Sequence, residues 1–287
     1  MTKRAALRHL IAAPELLVAP GAWDGLTARL VEQAGFQAVY MTGAGTAAAH
    51  GFPDYGLVTG TEMAANAGRM ADCTTIPLIA DADTGYGNEL NVTRTVRDYE
   101  RAGVAALHIE DQVAPKRCGH LDGKQVIPTE EFAGKIRAAV QARRDPDLVI
   151  IARTDARAVA DLDEAVARAN AAVEAGADLI FVEAIPEMAE LAAVPQRVHG
   201  PCLLNVVPGG KTPPVDLGAA QAMGYAMAIC PAVLLTTVLA AGDRALADLK
   251  AMGLPTDRPA AGVVEAFRRF GSGEWDALRR DYAGTAA

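Results

Sequence analysis

The sequence predicts an α/β protein, a (β/α)8 TIM barrel with extra C-terminal helices, and three observations carry that prediction. Eight short apolar runs recur along the chain. Their spacing averages roughly 30 residues, the size of one strand–helix unit. The intervals between them read as helices with recognisable start and stop signals. Several of the runs are apolar at successive positions rather than alternate ones, as parallel strands covered on both faces require. A chain of 287 residues is long for an average domain, but a barrel commonly runs to about 250 residues as one unit. A doubly wound sheet is the runner-up and usually has fewer strands at this length.

The strands are expected, in order, at 16–19, 38–41, 77–80, 106–109, 148–152, 179–182, 202–205 and 225–229. A helix over 23–34 ends at Gly35, and one over 61–72 opens with Thr61 and Glu62. A helix over 91–102 ends at Gly103, one over 129–144 follows Pro128 and stops before Pro146, and one over 161–175 ends at Gly176. Acidic and hydroxyl residues at helix starts and glycine at helix ends are the expected caps. Two further helical stretches, 233–252 and 260–282, exceed what a barrel needs. The chain therefore reads as one barrel domain over 1–287 with a helical extension from about 233, which would cover something else, such as another subunit.

Composition excludes several functions. Hydrophobic residues make up 51% and charged residues 22%, which is globular rather than disordered. The net charge is −8 and aromatics are only 5%, so neither nucleic acid nor an anionic membrane is an expected partner. No apolar run approaches the roughly 20 residues that span a bilayer. Lys3, Arg4 and Arg8 precede a short apolar stretch broken by Pro14 and Glu15, unlike a secretory signal. Cys73, Cys118, Cys202 and Cys230 are too widely spaced for a metal or disulfide motif, so reduced thiols and a cytoplasmic location are expected.

Barrel chemistry gathers at the C-terminal ends of strands. Those ends carry Thr42-Gly43-Ala44-Gly45, Asp81-Ala82-Asp83, Glu110-Asp111, Arg153-Thr154-Asp155, Glu183 and Asn205. Acids directly after apolar runs are costly unless paired or bound to a cation. An ion network around Arg153 is one reading, but it leaves excess negative charge. Asp81, Asp83 and Glu110 offer oxygen ligands alone, which favours Mg²⁺ or Mn²⁺ over zinc. Gly43-Ala44-Gly45 after a strand presents backbone N–H groups to an anion. The long segment from Gln112 to Ile127 is expected to be a functional loop. In it, Lys116, Arg117 and His120 surround Cys118, and nearby cations stabilise a thiolate. His50 is ambiguous, His108 lies within a strand and reads as structural, and His9 and His199 as surface residues.

Lys116-Arg117-Cys118-Gly119-His120, together with the Asp81–Gly87, Ile109–Gln112 and Ala152–Ala156 segments, resembles the isocitrate lyase and phosphoenolpyruvate mutase superfamily. The similarity is to its carbon–carbon lyase branch, which includes 2-methylisocitrate and 2,3-dimethylmalate lyases. It covers nearly the whole chain. The resemblance implies that Asp81 and Asp83 anchor Mg²⁺, with Asp54 and Glu110 holding its waters. It implies that Thr42, Gly43 and Ala44 cradle the keto-acid carboxylate, that Arg153 binds the same half, and that Glu183 and Asn205 line the pocket. Cys118 and Gly119 would sit on a gating loop, with Cys118 protonating the carbanion, His120 restoring its proton and Tyr40 deprotonating the hydroxyl. A homotetramer of helix-swapped dimers is implied as well.

Two departures bear on the substrate. The segment after the seventh strand, Asn205 to Gly210, differs from the Asn-Ile-Thr-Glu-Phe-Gly pattern of isocitrate-type lyases, and Gly209–Pro213 resembles the dimethylmalate lyase and petal death protein branch. Thr236 stands where those enzymes carry an Arg for an extra carboxylate, unless Arg268 or Arg269 supplies one. The expected reaction is Mg²⁺-dependent cleavage of a 2-hydroxy dicarboxylate, similar to 2,3-dimethylmalate or 2-methylisocitrate, to a 2-keto acid such as pyruvate and a carboxylic acid. Oxaloacetate decarboxylation is the alternative, and phosphonopyruvate chemistry ranks below it. A non-catalytic binding barrel is improbable with this acid set.

Overall fold

A computed structural model of the chain describes residues 1–253 and 262–283. Eight parallel strands close into a barrel in sequence order. They are β1 (Leu17–Ala22), β2 (Val39–Met41), β3 (Leu78–Asp81), β4 (Ala106–Glu110), β5 (Val149–Thr154), β6 (Leu179–Val182), β7 (Cys202–Asn205) and β8 (Met227–Cys230). Each strand pairs with the next, and β8 pairs back to β1 with Leu17 opposite Met227.

All eight expected strands are present, with shifted ends. The first runs on to Ala22 through Pro20 and Gly21, which resemble a strand stop in sequence. Gly21 is needed there because a Cβ would come within 2.5 Å of the Pro231 backbone. Glycine in a strand often marks such a close approach.

Helices lie between the strands: α1 (Lys3–Ala12), α2 (Gly25–Gln33), α3 (Gly43–Ala49), α4 (Gly60–Cys73), α5 (Glu89–Arg101), α6 (Thr129–Ala142), α7 (Leu162–Glu174), α8 (Met188–Arg197) and α9 (Leu217–Met223). Helix α4 starts before the expected position because its capping box is formed by Thr59 and Glu62. Asp24 with Thr27 and Asn88 with Asn91 close the same kind of box on α2 and α5.

The strands feed two cores, because successive side chains point to opposite faces. One joins Ala19, Ile79, Ile151, Phe181, Leu203 and Met227 inside the barrel, and Leu7 of α1 packs onto it. The other joins Leu78, Leu107, Ile150 and Leu204 to Met70, Tyr99, Phe132 and Ile136 of the surrounding helices.

The chain divides into two compact units, 1–236 and 237–287. The second contains most of α10 (Val233–Met252), then α11 (Val263–Arg269) and α12 (Ser272–Ala283). The expected helix over 260–282 begins outside the described residues. Within them it is two helices, separated at Phe270-Gly271, where Gly271 takes φ +87°. Val264, Phe267, Trp275 and Tyr282 are all exposed. Among the described residues no helix is long and apolar enough to cross a membrane.

Candidate active site

Barrel closure brings the expected residues to one rim. Asp81 ends β3, Glu110 ends β4, Arg153 lies one residue from the end of β5, Glu183 follows β6 and Asn205 ends β7. All five are buried. The rim also holds backbone strain, with Asp83 at φ +45° and Ala184 at φ +54°. Such conformations are costly for residues with side chains and cluster at functional sites. Asp83 is held there by its N–H donating to Asp81 Oδ1 at 2.9 Å and by its carbonyl accepting from Glu110 N at 2.9 Å.

The 112–127 loop is pinned at its base by an antiparallel bridge between Gln112 and Val126. Its course decides which cations reach the rim. Lys116 is buried, with Nζ 2.5 Å from Asp54 Oδ1 and 3.0 Å from Asp83 Oδ1. Lys124 is buried against Asp155 at 2.9 Å. Counting Arg153 alone against the acids therefore undercounted the positive charge, since two loop lysines join it. Arg117 turns outward, its guanidinium 5.5 Å from the Tyr55 ring.

Cys118 is half-buried, and its N–H donates to Asp54 O at 3.1 Å. Burial pushes its thiol above the ordinary thiol value, with Asp54 adding to the rise and Arg153 opposing it. The expectation of a cation-stabilised thiolate is corrected: Lys116 is spent on Asp54 and Asp83, and Arg117 faces away. Gly119 fits because a Cβ there would come 2.6 Å from Glu183 Oε1 and 2.7 Å from Arg153 Nη2. His120 accepts from Lys211 N at Nδ1, 3.0 Å, and places Nε2 3.2 Å from Glu183 Oε1. Its neutral tautomer then carries the proton on Nε2. Asn205 Nδ2 donates to Glu183 Oε2 at 3.1 Å.

Arg153 is oriented from three sides. Its Nε lies 2.9 Å from Asp155 Oδ2 and 3.1 Å from Glu110 Oε2, and its guanidinium lies 5.0 Å from the Phe181 ring centroid. Tyr40 places its hydroxyl 2.8 Å from His108 Nε2, and that nitrogen is 3.5 Å from Asp81 Oδ1. His108, a structural residue by its place within a strand, is also the neighbour of Tyr40 and Asp81. Its place within a strand concealed it; the signal available was an inward parity, two residues before Glu110. Burial lowers His108 to about 4 and raises Tyr40 well above an ordinary phenol.

Gly43-Ala44-Gly45 is not an open loop but the first turn of α3, capped by Thr42. Gly43 N donates to Asp81 Oδ2 at 3.2 Å and Gly45 N to Thr42 Oγ1 at 3.3 Å. Two of the N–H groups expected to face an anion thus have protein acceptors. A side chain at Gly43 would strike the Asp81 carboxylate.

One pocket gathers Tyr40, Thr42, Ala44, Asp54, Asp81, Cys118, Gly119, His120, Arg153, Glu183 and Asn205. Its remaining wall is apolar: Val207, Pro231, Ala232 and Leu235. Thr236 is not part of that wall. It is exposed, and its hydroxyl donates to Ala232 O at 2.9 Å. Leu235 is the residue that closes the pocket.

The acids fit a hard divalent cation. Glu110 Oε1 is buried without a partner, while Glu110 Oε2 and Asp83 Oδ1 meet only the ion-pair contacts of Arg153 and Lys116. Burial raises Glu110 well above the usual carboxylate range and Asp83 to about 6. Burial also pushes Asp81 upward, but His108, Lys116 and Arg153 outweigh it and hold Asp81 at about 2. Among the described residues no group of three or more His, Cys, Asp or Glu side chains is arranged to hold a metal ion by itself. A cation here would take few protein ligands and complete its shell with water and substrate, as Mg²⁺ does.

The chain matches the phosphoenolpyruvate phosphomutase family over residues 7–250. It is 45% identical to 2,3-dimethylmalate lyase of Eubacterium barkeri over 94% of this chain and 92% of that protein. It is 44% identical to a probable 2-methylisocitrate lyase of Corynebacterium glutamicum, over 89% of this chain and 83% of that one. A solved oxaloacetate acetylhydrolase superposes with a TM-score of 0.95 at 38% identity, covering 100% of this chain and 99% of the other.

Proposed function

The chain belongs to the phosphoenolpyruvate phosphomutase family, and from that membership we propose a substrate: an alkylated 2-hydroxy dicarboxylate of the 2,3-dimethylmalate kind. The protein is a carbon–carbon lyase, the activity shared by the lyase relatives. The bond between C2 and C3 breaks, and the products are a 2-keto acid such as pyruvate and a carboxylic acid. The observation that carries the choice of substrate is the uncharged far wall, Val207, Pro231, Ala232 and Leu235, opposite the polar rim. A third carboxylate there would be buried without a partner, which is costly.

The cofactor in this reading is Mg²⁺, with Mn²⁺ able to replace it, and Asp81, Asp83, Asp54 and Glu110 would hold it once the Lys116 ammonium gives way. When bound, the ion lowers the pKa of the substrate hydroxyl and polarises its carboxylate. Arg153, Thr42 and Ala44 hold the keto-acid carboxylate, and Gly43, whose N–H donates to Asp81, lets the turn approach it closely. Tyr40 is a neutral phenol, so it receives the hydroxyl proton only as it passes its own to His108 Nε2, 2.8 Å away. Cys118, kept as a thiol, delivers a proton to the carbanion of the leaving half. His120, Gly119, Glu183 and Asn205 shape the wall beside that thiol, and His120 returns its proton through Glu183 or solvent. The 112–127 loop excludes water that would quench the carbanion.

Association of four copies is part of the same reading. It is supported by the exposed Val264, Phe267, Trp275 and Tyr282 of α11 and α12. Large apolar side chains exposed on two short helices suit an interaction surface. A cytoplasmic location is consistent with four free cysteines.

The test is a panel of 2,3-dimethylmalate, 2-methylisocitrate and oxaloacetate with Mg²⁺, followed by keto-acid and oxalate detection. The expected result is highest kcat/KM on 2,3-dimethylmalate. Preference for oxaloacetate would favour the acetylhydrolase or decarboxylase reading instead.

A further inference from the structure

We propose that Lys124 is a positioning residue for this reaction: it neutralises Asp155 and so releases Arg153 to bind the substrate carboxylate. The inference rests on the reading of Arg153 as the carboxylate-binding group and assigns a role to a residue outside the pocket wall.

Lys124 lies six residues after Cys118 on the same loop, and its side chain is only 2% exposed. An ammonium so buried is costly unless it is fully paired. It has two acceptors. Its Nζ donates to Asp155 Oδ1 at 2.9 Å and to the carbonyl of Gly119. Asp155 is itself fully buried and takes two more hydrogen bonds from Arg153, Nε to Oδ2 at 2.9 Å and Nη2 to Oδ1 at 3.3 Å. One carboxylate is thus shared between a rim arginine and a loop lysine.

The sharing has a direction. Arg153 faces two protein carboxylates, Asp155 and Glu110 at 3.1 Å. With Asp155 as a full negative charge, a substrate carboxylate would compete with it for the guanidinium and be repelled by it. Lys124 supplies the second cation, so Asp155 is balanced without drawing on the whole charge of Arg153. The same ammonium holds Gly119, which packs against Arg153 and Glu183 where no side chain fits. A single contact therefore ties the seating of the Cys118–Gly119 turn to the charge that Arg153 presents. Asp155 is in turn fixed by its N–H donating to Asp111 Oδ1 at 2.9 Å. The acceptor is consequently built into the barrel and the donor is carried by the loop.

The experiment measures oxalate binding by calorimetry on the full-length, Mg²⁺-loaded protein, beside kcat and KM on whichever dicarboxylate the wild type cleaves. Lys124→Met is expected to weaken oxalate about tenfold or more, the loss of one charge-assisted interaction. It should also lower kcat, because the Cys118 turn loses its tether. Lys124→Arg keeps the charge and should restore oxalate affinity to within about threefold of wild type. The discriminating variant is Lys124→Met with Asp155→Asn. It removes the uncompensated carboxylate, so it should bind oxalate more tightly than Lys124→Met alone, whereas a merely structural role makes the two losses add. Its buried charge is removed as a pair, so it also serves where Lys124→Met fails to fold, by comparison with Lys124→Arg. Wild-type oxalate affinity in Lys124→Met overturns the proposal, as does a double variant that binds no better than Lys124→Met, or no better than a negligible fraction of Lys124→Arg. Oxalate binding does not depend on turnover, so a wrong substrate assignment would show as absent cleavage by the wild type and leave this test intact.

Discussion

In the proposed reaction Cys118 gives a proton to carbon, and burial favours the thiol form which that role requires. Its neighbouring cations in sequence face other partners, so the acid form dominates at neutral pH. Cys118→Ser is expected to lower cleavage by about 10² or more, read as kcat in a keto-acid assay. Alkylation of Cys118 by iodoacetamide should accelerate only as pH rises past the ordinary thiol range, which a pH–rate profile with mass-spectrometric mapping checks. Full activity of the Ser variant would remove Cys118 from the mechanism. Asp83 gives a second prediction. Its pKa stands at about 6 against an ordinary 3.8, so its ionised form costs stability above pH 6, and the cost disappears below the ordinary value. Asp83→Asn should abolish cleavage and the Mg²⁺-induced rise in Tm. Without metal its Tm should equal or exceed the wild type at pH 7.5, with the difference closing toward pH 4. Metal-dependent stabilisation that survives in this variant would refute the ligand assignment.

At the scale of elements, the first turn of α10 contributes one residue to the pocket and, in the proposed reading, helps to set what the pocket accepts. Helical residues are separated by about 100° around the axis, so of the two adjacent residues Leu235 and Thr236 only one lines the pocket. That residue is Leu235, while Thr236 points to solvent and bonds back to Ala232. Leu235→Arg is expected to move the kcat/KM ratio of 2-methylisocitrate to 2,3-dimethylmalate upward by about tenfold or more, one charge-assisted pair. Thr236→Arg should move it less. Equal shifts from both variants would place the far end of the substrate elsewhere. The start of α4 shows a different kind of local control. Thr59 accepts from Glu62 N and the Glu62 carboxylate reaches back to Thr59 N at 2.8 Å. Thr59→Ala should cost about 1 kcal/mol, measured by urea denaturation with activity retained. The capping pattern was present in the sequence, but Thr61 two residues later competes as a helix start.

For the whole molecule, the rim is completed by the 112–127 loop of the same chain, whereas α11 and α12 leave apolar side chains exposed. If copies associate through them, light scattering should give a multiple of the 29.9 kDa chain mass, with four copies expected. Combining Val264→Glu with Trp275→Glu should shift the protein toward monomer. A wild-type monomer at micromolar concentration would rule out this use of the helices.

The order of strands, the barrel class and the acids at strand ends were legible because each is local: a run of apolar residues, a cap, then a charge placed where a core residue would stand. Strand-end position and family resemblance single out Tyr40, Cys118, Arg153, Glu183 and Asn205, and barrel closure gathers them in one pocket. What only the tertiary structure decided are partnerships across long sequence separations. Lys116 meets Asp54, 62 residues away, and Tyr40 meets His108, 68 residues away. Lys124 reaches Asp155, 31 residues on. Flanking residues suggested that Cys118 is a thiolate, but the fold sends those cations elsewhere and buries the sulfur. The sequence by itself determined the periodicity that closes the barrel, since burial on both faces selects residues position by position. The charge state and the substrate wall were left to the folded chain, because ion pairing and side-chain facing depend on distances that exist only after closure.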